Sequence, residues 1–487
     1  MFTDERRCNI WDQVRQLDLR CFGKILTPAL MQEAVQASGV ELGSNPLNWA
    51  NMVWLGVAAA LHRSKNFADI LVLTFKLLKD GAGWKPDCPS KKRKGRAKRR
   101  TSKHDPRGGS QISVSEEAFV QARQRMPMDY WLWLLLLLAA RFQAQHPVAV
   151  RWKHFRLLAL DGTEIALPYW KTLAKAFGTS RNGRRRRRPQ ARMVMLAFPQ
   201  VRLPWRYELM PRACHEQTSA ARLLEHLCPD DLLLMDRGFW NFRLFWQVQS
   251  KHAFFGIRLR RGIGLKTTRA LGPNDSLVQW KPSKQSRKRR ALKKPPDLPK
   301  SLPLRVIRYQ IRGFRPSGVV TNMLDPKVIS REEWMRIAIV NEAGRVLEPG
   351  LYHRRWEIET MFCELKVRQG MVRSLRSRTA EGVAFEVAGH VLLYLLTRWL
   401  IFEAAKEHGL PPLRISFTQA LRELDDMLQT LLLADPQCIR RVLLPRLLSR
   451  IAQHLVPLRP GRHYPRPADK YRKRKYRQSA KLVTKQT

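Results

Sequence analysis

Acidic residues are scarce: 40 Asp and Glu stand against 90 Lys and Arg, a formal net charge of +50. Such an excess calls for a polyanionic partner, and nucleic acid is the first candidate. Cysteine is sparse as well. The seven (Cys8, Cys21, Cys88, Cys214, Cys228, Cys363 and Cys438) are odd in number and scattered, with no Cys-x2-Cys pair. That excludes a disulfide framework and a zinc site of ordinary spacing, and it points to reduced thiols in a cytoplasmic protein. Long apolar runs are also missing. The longest, Tyr130–Ala140, is about half a membrane span. Val383–Ala405 has the length but is interrupted by Glu386, His390 and Arg398. Met1–Arg7 leads straight into charged residues, so no secretory signal is expected and the chain reads as soluble.

Apolar residues are plentiful, at 44% of 487, which excludes a mostly disordered chain. The length suggests roughly two to four domains. Four basic runs (91–103, 184–188, 284–294 and 459–481) contain one acid, Asp469. Outside them the balance is still 59 basic to 39 acidic residues, so a polyanion should meet folded surface as well as flexible arms.

Helical spacing marks 26–38, 48–63 and 67–78, followed by a Gly, Pro, Lys and Arg stretch over 81–109. Ser115 is an N-cap with acids in the first turn of a helix expected to run to Ala144. The period then changes. Short strands are expected at 157–160, 165–167, 193–198, 206–210 and 232–235, with helices at 216–227 and 240–249. This alternation predicts an α/β core with some parallel pairing. Gly, Pro, basic residues and strand-like pieces such as 304–311 fill 260–333, suggesting an inserted module. Helices return at 350–368, 383–405, 417–433 and 439–454; Phe417, Leu421, Leu424, Leu428 and Leu431 form a seam that suits either a core face or a dimer contact.

Asp161 ends an apolar run and precedes Gly162; Asp236 follows Asp231-Leu-Leu-Leu-Met235 and precedes Arg237-Gly238. Each alone could be a turn residue. The sharper signal is a helix with Tyr352, Arg355, Glu359 and Lys366 at offsets of 0, 3, 7 and 14. At about 100° per residue they share one stripe, beside Ile358, Met361, Phe362 and Leu365 on the burying face. Glu357 and Glu364 point elsewhere on this count, and Glu164 is a third rival carboxylate. Two Asp at strand ends plus a Glu on a later helix can converge, and three such carboxylates repel unless a divalent cation neutralises them. Hard oxygen ligands suit Mg²⁺ or Mn²⁺, and two such ions can clamp an in-line phosphoryl displacement. Arg355 and Lys366 would hold phosphate oxygens nearby.

The blocks Leu157-Leu-Ala-Leu-Asp161-Gly-Thr, Asp231-Leu-Leu-Leu-Met-Asp236-Arg-Gly-Phe239 and Tyr352-His-Arg-Arg-Trp-Glu-Ile-Glu359-Thr-Met-Phe-Cys-Glu-Leu-Lys366 resemble a DDE transposase of the insertion-sequence family called "IS four", whose signature is Tyr-x2-Arg-x3-Glu-x6-Lys. Ser115–Arg125, Phe254–Leu259 and Val320–Pro326 are similar to supporting blocks of that family, and the likeness covers about 115–405. It implies an α/β fold with a ribonuclease H-like catalytic core and a strand-rich insertion, flanked by helical N- and C-terminal regions. Asp161, Asp236 and Glu359 would be the catalytic metal ligands, and Tyr352, Arg355 and Lys366 would position DNA phosphates. Trp334 and Trp280 are candidates for stacking a flipped base, or are plain core residues.

The implied division is a helical N-terminal domain (1–80) that could read terminal repeats, a basic linker (81–110), a helical lead-in (111–150), a core in two parts (151–260 and 335–405) around the insertion (261–334), a helical C-terminal region (406–458) suited to dimerisation, and a basic tail (459–487). The implied partners are double-stranded DNA, as element terminal inverted repeats and target, and a second copy of the chain in a paired-end complex. No membrane and no small-molecule substrate is expected, and the setting would be the bacterial cytoplasm at the nucleoid. A structure-selective nuclease on the same core, and a silent DNA-binding regulator, are the alternatives.

Overall fold

The structure is a computed structural model, and it describes residues 22–23, 25–40, 47–71, 114–179, 188–260, 262–282, 298–309, 317–335, 350–433 and 436–457. The linker at 81–110, most of the run at 184–188, the run at 284–294 and the tail at 459–487 lie outside these residues.

The N-terminal helices begin where side chains satisfy the free amides of a first turn. The Thr27 hydroxyl accepts from Leu30 N at the start of α1 (Pro28–Ser38), and the Asn48 side chain accepts from Asn51 N at the start of α2 (Trp49–Leu61). Ser115 does the same for Ala118 N in α3 (Glu116–Arg125). The helix expected to continue to Ala144 is instead two helices, because Pro127 stands between α3 and α4 (Met128–Gln145). Proline lacks the amide that an unbroken helix needs there.

The centre is one mixed sheet of ten strands. After the short β1 (Arg151–Trp152), the strands are β2 (Phe155–Ala166), β3 (Gln190–Phe198), β4 (Leu203–Pro211), β5 (Asp231–Met235), β6 (Phe254–Arg258), β7 (Leu265–Gly272), β8 (Asp275–Trp280), β9 (Leu302–Tyr309) and β10 (Ser317–Thr321). The order across the sheet is β4-β3-β2-β5-β6-β10-β9-β8-β7, with β1 on β2. β2, β3 and β4 form an antiparallel meander, while β5 and β6 run parallel to β2. Helices α6 (Glu216–Leu224) and α7 (Phe242–Ser250) are the crossovers that such parallel pairing needs.

The strand-rich stretch after β6 joins the central sheet: β10 pairs antiparallel with β6, so β7–β10 widen it. One expectation is corrected: the short strands at 157–160 and 165–167 are a single strand, since β2 runs through Asp161-Gly162 to Ala166 opposite β3 with no hairpin turn there. A Cβ at Gly162 would lie 2.8 Å from the carboxyl carbon of Glu216 at the start of α6, a flexible side chain that can move aside.

Alternation on β5 divides the interior. Leu233 and Met235 face one apolar cluster and Leu232 and Leu234 the other. The larger cluster centres on α10 (Ala380–Glu407), whose apolar residues are buried on nearly every side. This helix is long and apolar enough to cross a membrane by length and composition, yet 94% of its most apolar stretch is buried inside the protein. It crosses α2 where Gly389 meets Gly56, so closely that a Cβ on Gly389 would sit 2.5 Å from the Gly56 carbonyl oxygen. α11 (Phe417–Leu433) buries Phe417, Leu421 and Leu424 against this core; the side chains of Leu428 and Leu431 lie outside the described residues. α12 (Leu444–Gln453) completes the C-terminal layer.

Candidate active site

Sheet register brings the two aspartates together. Leu160 of β2 stands opposite Met235 of β5 in parallel register, so Asp161 and Asp236 are the next residues on neighbouring strands. β5 ends there, while β2 runs on beside β3 alone. Asp161 therefore lies within its strand, and only Asp236 lies at a strand end.

The signature segment reaches this edge as three kinds of turn. A 3₁₀ turn (Leu351–Arg355) leads into α9 (Trp356–Cys363), and a π-helical turn (Glu364–Arg368) follows. A single α-helix over 350–368 is thus corrected. The tight first turn winds at about 120° per residue and the last turn is wider than 3.6 residues, so a uniform 100° step does not describe the stripe. Ile358, Met361, Phe362 and Leu365 are buried in the large core, as the helical face predicts.

Each end of the segment is tied to one aspartate strand. The Tyr352 hydroxyl donates to the Met235 carbonyl at 3.1 Å, one residue before Asp236. Lys366 Nζ donates to Thr163 Oγ1 at 2.8 Å and to the Glu164 carbonyl at 2.6 Å, just beyond Asp161. Between them, Arg355 Nη2 donates to Glu359 at 2.7 Å, and its Nη1 lies 3.5 Å from Asp161. Burial pushes the Tyr352 phenol upward, which keeps it a donor, and lowers the Lys366 ammonium against the opposing pull of Glu164.

The electrostatics single out Asp161. Burial raises its carboxyl to about 7, and the Glu359 and Asp236 charges push the same way; the Gly162 amide and Arg355 oppose them without prevailing. Both other acids are thus close enough to disfavour its ionisation, and Arg355 is the cation set against it. Buried Arg355 Nε finds no hydrogen-bond acceptor among the described residues, and Nη1 has only the long ion pair with Asp161. A guanidinium held this way has donors left for an anion.

The rival carboxylates are engaged elsewhere. Glu164 pairs with Arg192 at 3.3 Å and Arg212 at 3.2 Å. Glu357 accepts from Arg202 at 2.6 Å. Glu364 accepts from Arg202 at 2.9 Å and from Tyr394 at 2.6 Å, and is also bonded to Arg398.

Neither sequence candidate for base stacking is presented to solvent. Trp334, in α8 (Arg331–Met335), is fully buried with its ring against Gly256, where a Cβ would lie 2.4 Å away. Trp280 packs among Trp240, Phe242 and Phe245. The exposed indole beside the acids is Trp356, three residues before Glu359, with Arg355 lying 5.2 Å over its ring. Sequence reasoning passed over it, although its place on the helix next to Arg355 was a usable signal.

A divalent cation fits this donor set in chemistry: three carboxylates, one of them raised chiefly by burial and further by the charges of the other two. Among the described residues, however, no three His, Cys, Asp or Glu side chains are already gathered to hold an ion. Arg355 bridges Asp161 and Glu359 instead.

Fold and site together define a mixed α/β protein in which Asp161 and Asp236 follow paired residues on neighbouring interior strands of a large central sheet flanked by helices. The chain belongs to the Transposase DDE domain family, whose model matches residues 152–396, and is thus a DDE transposase. No curated protein matches it. Among solved structures, the cryo-EM piggyBac transposase synaptic complex with hairpin DNA aligns over 94% of this chain and 88% of that one, at 9% identity and a TM-score of 0.35, a likeness too slight to carry weight.

Proposed function

We propose that the chain is a cut-and-paste DNA transposase of the "IS four" kind, which cleaves DNA at the ends of its element and joins the freed 3′ ends to target DNA. The carrying observation is the signature segment, whose Arg355 pairs with both Glu359 and Asp161 while Tyr352 and Lys366 tie the segment to the two aspartate strands. A ribonuclease H-like core is the matching fold reading, supported by the order β4-β3-β2-β5-β6 with only β3 antiparallel to its neighbours.

Asp161, Asp236 and Glu359 would hold Mg²⁺ or Mn²⁺, most simply as two ions, which supply charge neutralisation and activation of the attacking oxygen. Arg355 serves as counter-charge to Asp161 and Glu359 in the form described here. With DNA bound, its unused donors suit a nonbridging phosphate oxygen, and Lys366 adds a point charge at the other end of the site. Tyr352 holds the β5 end that precedes Asp236. Trp356 offers the ring beside the scissile phosphate that Trp334 and Trp280 do not. The N-terminal helices would read terminal repeats, and a homodimer would pair two ends.

The test incubates the full chain with DNA from both sides of its gene in Mg²⁺ or Ca²⁺, with Glu359→Ala alongside, and resolves products on denaturing gels. Mg²⁺-dependent cutting absent from the variant, together with joined strands, is expected. Cuts without joining indicate a nuclease, and bound but uncut DNA indicates a regulator.

A further inference from the structure

Beyond Asp161, β2 continues five residues to Ala166, about 17 Å at the usual rise. The chain continues to Tyr169 and Trp170, residues that are 56% and 40% exposed. They immediately precede α5 (Lys171–Phe177). Two adjacent aromatic residues open to water on a strongly cationic protein are accessible to a partner with a flat face.

The surroundings are basic and tied to the candidate site. The Arg378 guanidinium lies 4.3 Å over the Trp170 ring, and the Arg378 carbonyl accepts from the Thr172 hydroxyl, which fixes that arginine against the start of α5. Lys171 and Lys175 are exposed on α5, and exposed Arg188 is brought to the same stretch by the bond from Leu167 N to the Pro189 carbonyl at 3.0 Å. The same strand supplies Thr163 and Glu164 to Lys366. Tyr169 and Trp170 thus follow, within four residues along the chain, the strand that carries Asp161.

We infer that Tyr169, Trp170 and Arg378 form a stacking platform for an unpaired base of single-stranded DNA. The inference rests on the reading that the chain acts on DNA. Within a duplex each base's π-face is covered by its neighbours, so a ring of this kind gains most from a base that has left the stack. Stacking on aromatic rings is tolerant of base identity, and an arginine on the ring adds cation–π attraction while neutralising phosphate.

The test measures binding of the full chain by fluorescence anisotropy to a labelled oligothymidine of about twenty nucleotides and to a blunt duplex of similar length. Trp170→Ala with Tyr169→Ala should weaken oligothymidine binding about tenfold or more, with duplex binding changed less than about twofold. Trp170→Phe should retain most of the affinity, and Trp170→Leu, which keeps apolar bulk without a π-face, should lose it. No loss in the double variant, or equal loss on both DNAs, overturns the platform. Wild-type binding to duplex without binding to oligothymidine overturns the platform alone, whereas wild-type binding to neither overturns the DNA reading as well.

Discussion

Arg355 donates to Glu359 at 2.7 Å, four residues along the same segment, and this contact places a buried cation among the acids of the site. Arg355→Ala is expected to lower end cleavage by about 10²–10³-fold, the usual cost of losing a charge-stabilising donor. Arg355→Lys should recover only part, because an ammonium cannot reach Asp161 and Glu359 as a planar fork. Cleavage assays across a Mg²⁺ titration check this; a variant as active as wild type refutes it.

Asp161 gives a pH dependence with a definite sign. Its carboxyl is raised to about 7 in the fold, above its ordinary value near 4. The folded chain thus binds more protons than the unfolded one between those values, and this group's contribution to stability falls as pH rises from about 4 to 7. Asp161→Asn is expected to melt higher than wild type at pH 8 without divalent ions, with the difference shrinking toward pH 4. Thermal melts across that range measure it.

Arg202 spans Glu357 and Glu364 from the turn between β3 and β4, and so holds both sides of the segment that carries Glu359. Its removal takes the arginine from half-buried Glu357, while Glu364 keeps Arg398 and Tyr394, a loss of about 1–3 kcal/mol. Arg202→Ala should lower the urea midpoint accordingly. Arg202→Lys should rescue it only in part, since one ammonium replaces a fork serving two acids.

Gly389→Ala tests the helix crossing. The added methyl would meet the Gly56 backbone, which cannot swing aside as a side chain can. A loss of about 1–3 kcal/mol is expected. Gly264→Ala, where a Cβ meets nothing within 4 Å, is the control that should leave the melting temperature nearly unchanged.

Local patterns were legible where a short stretch of chain decides the outcome. Ser115 caps its helix because a hydroxyl and a free amide three residues on need no distant partner. The apolar residues of α9 go inward because helical spacing alone assigns them a side. Where distant residues decide, local pattern left alternatives open. Trp280 and Trp334 could be read as stacking or as core residues, and packing makes both core: three aromatic neighbours enclose one, and a bare glycine on β6 admits the other. The break at Pro127 was local and still passed over, masked by strong apolar periodicity on both sides.

By itself the sequence determined the cationic character of the protein, the alternation of helix and strand, and the spacing Tyr-x2-Arg-x3-Glu-x6-Lys, since each depends on residue identity or on near neighbours. Only the tertiary structure decided that β7–β10 extend the central sheet, because pairing of β10 with β6 is a choice between distant segments. It likewise decided which acids meet. Parallel register sets Asp161 beside Asp236, and arginines from the neighbouring strand β3, from a turn and from a helix neutralise Glu164, Glu357 and Glu364. Charge interactions fall off with distance in space, and separation along the chain does not report that distance.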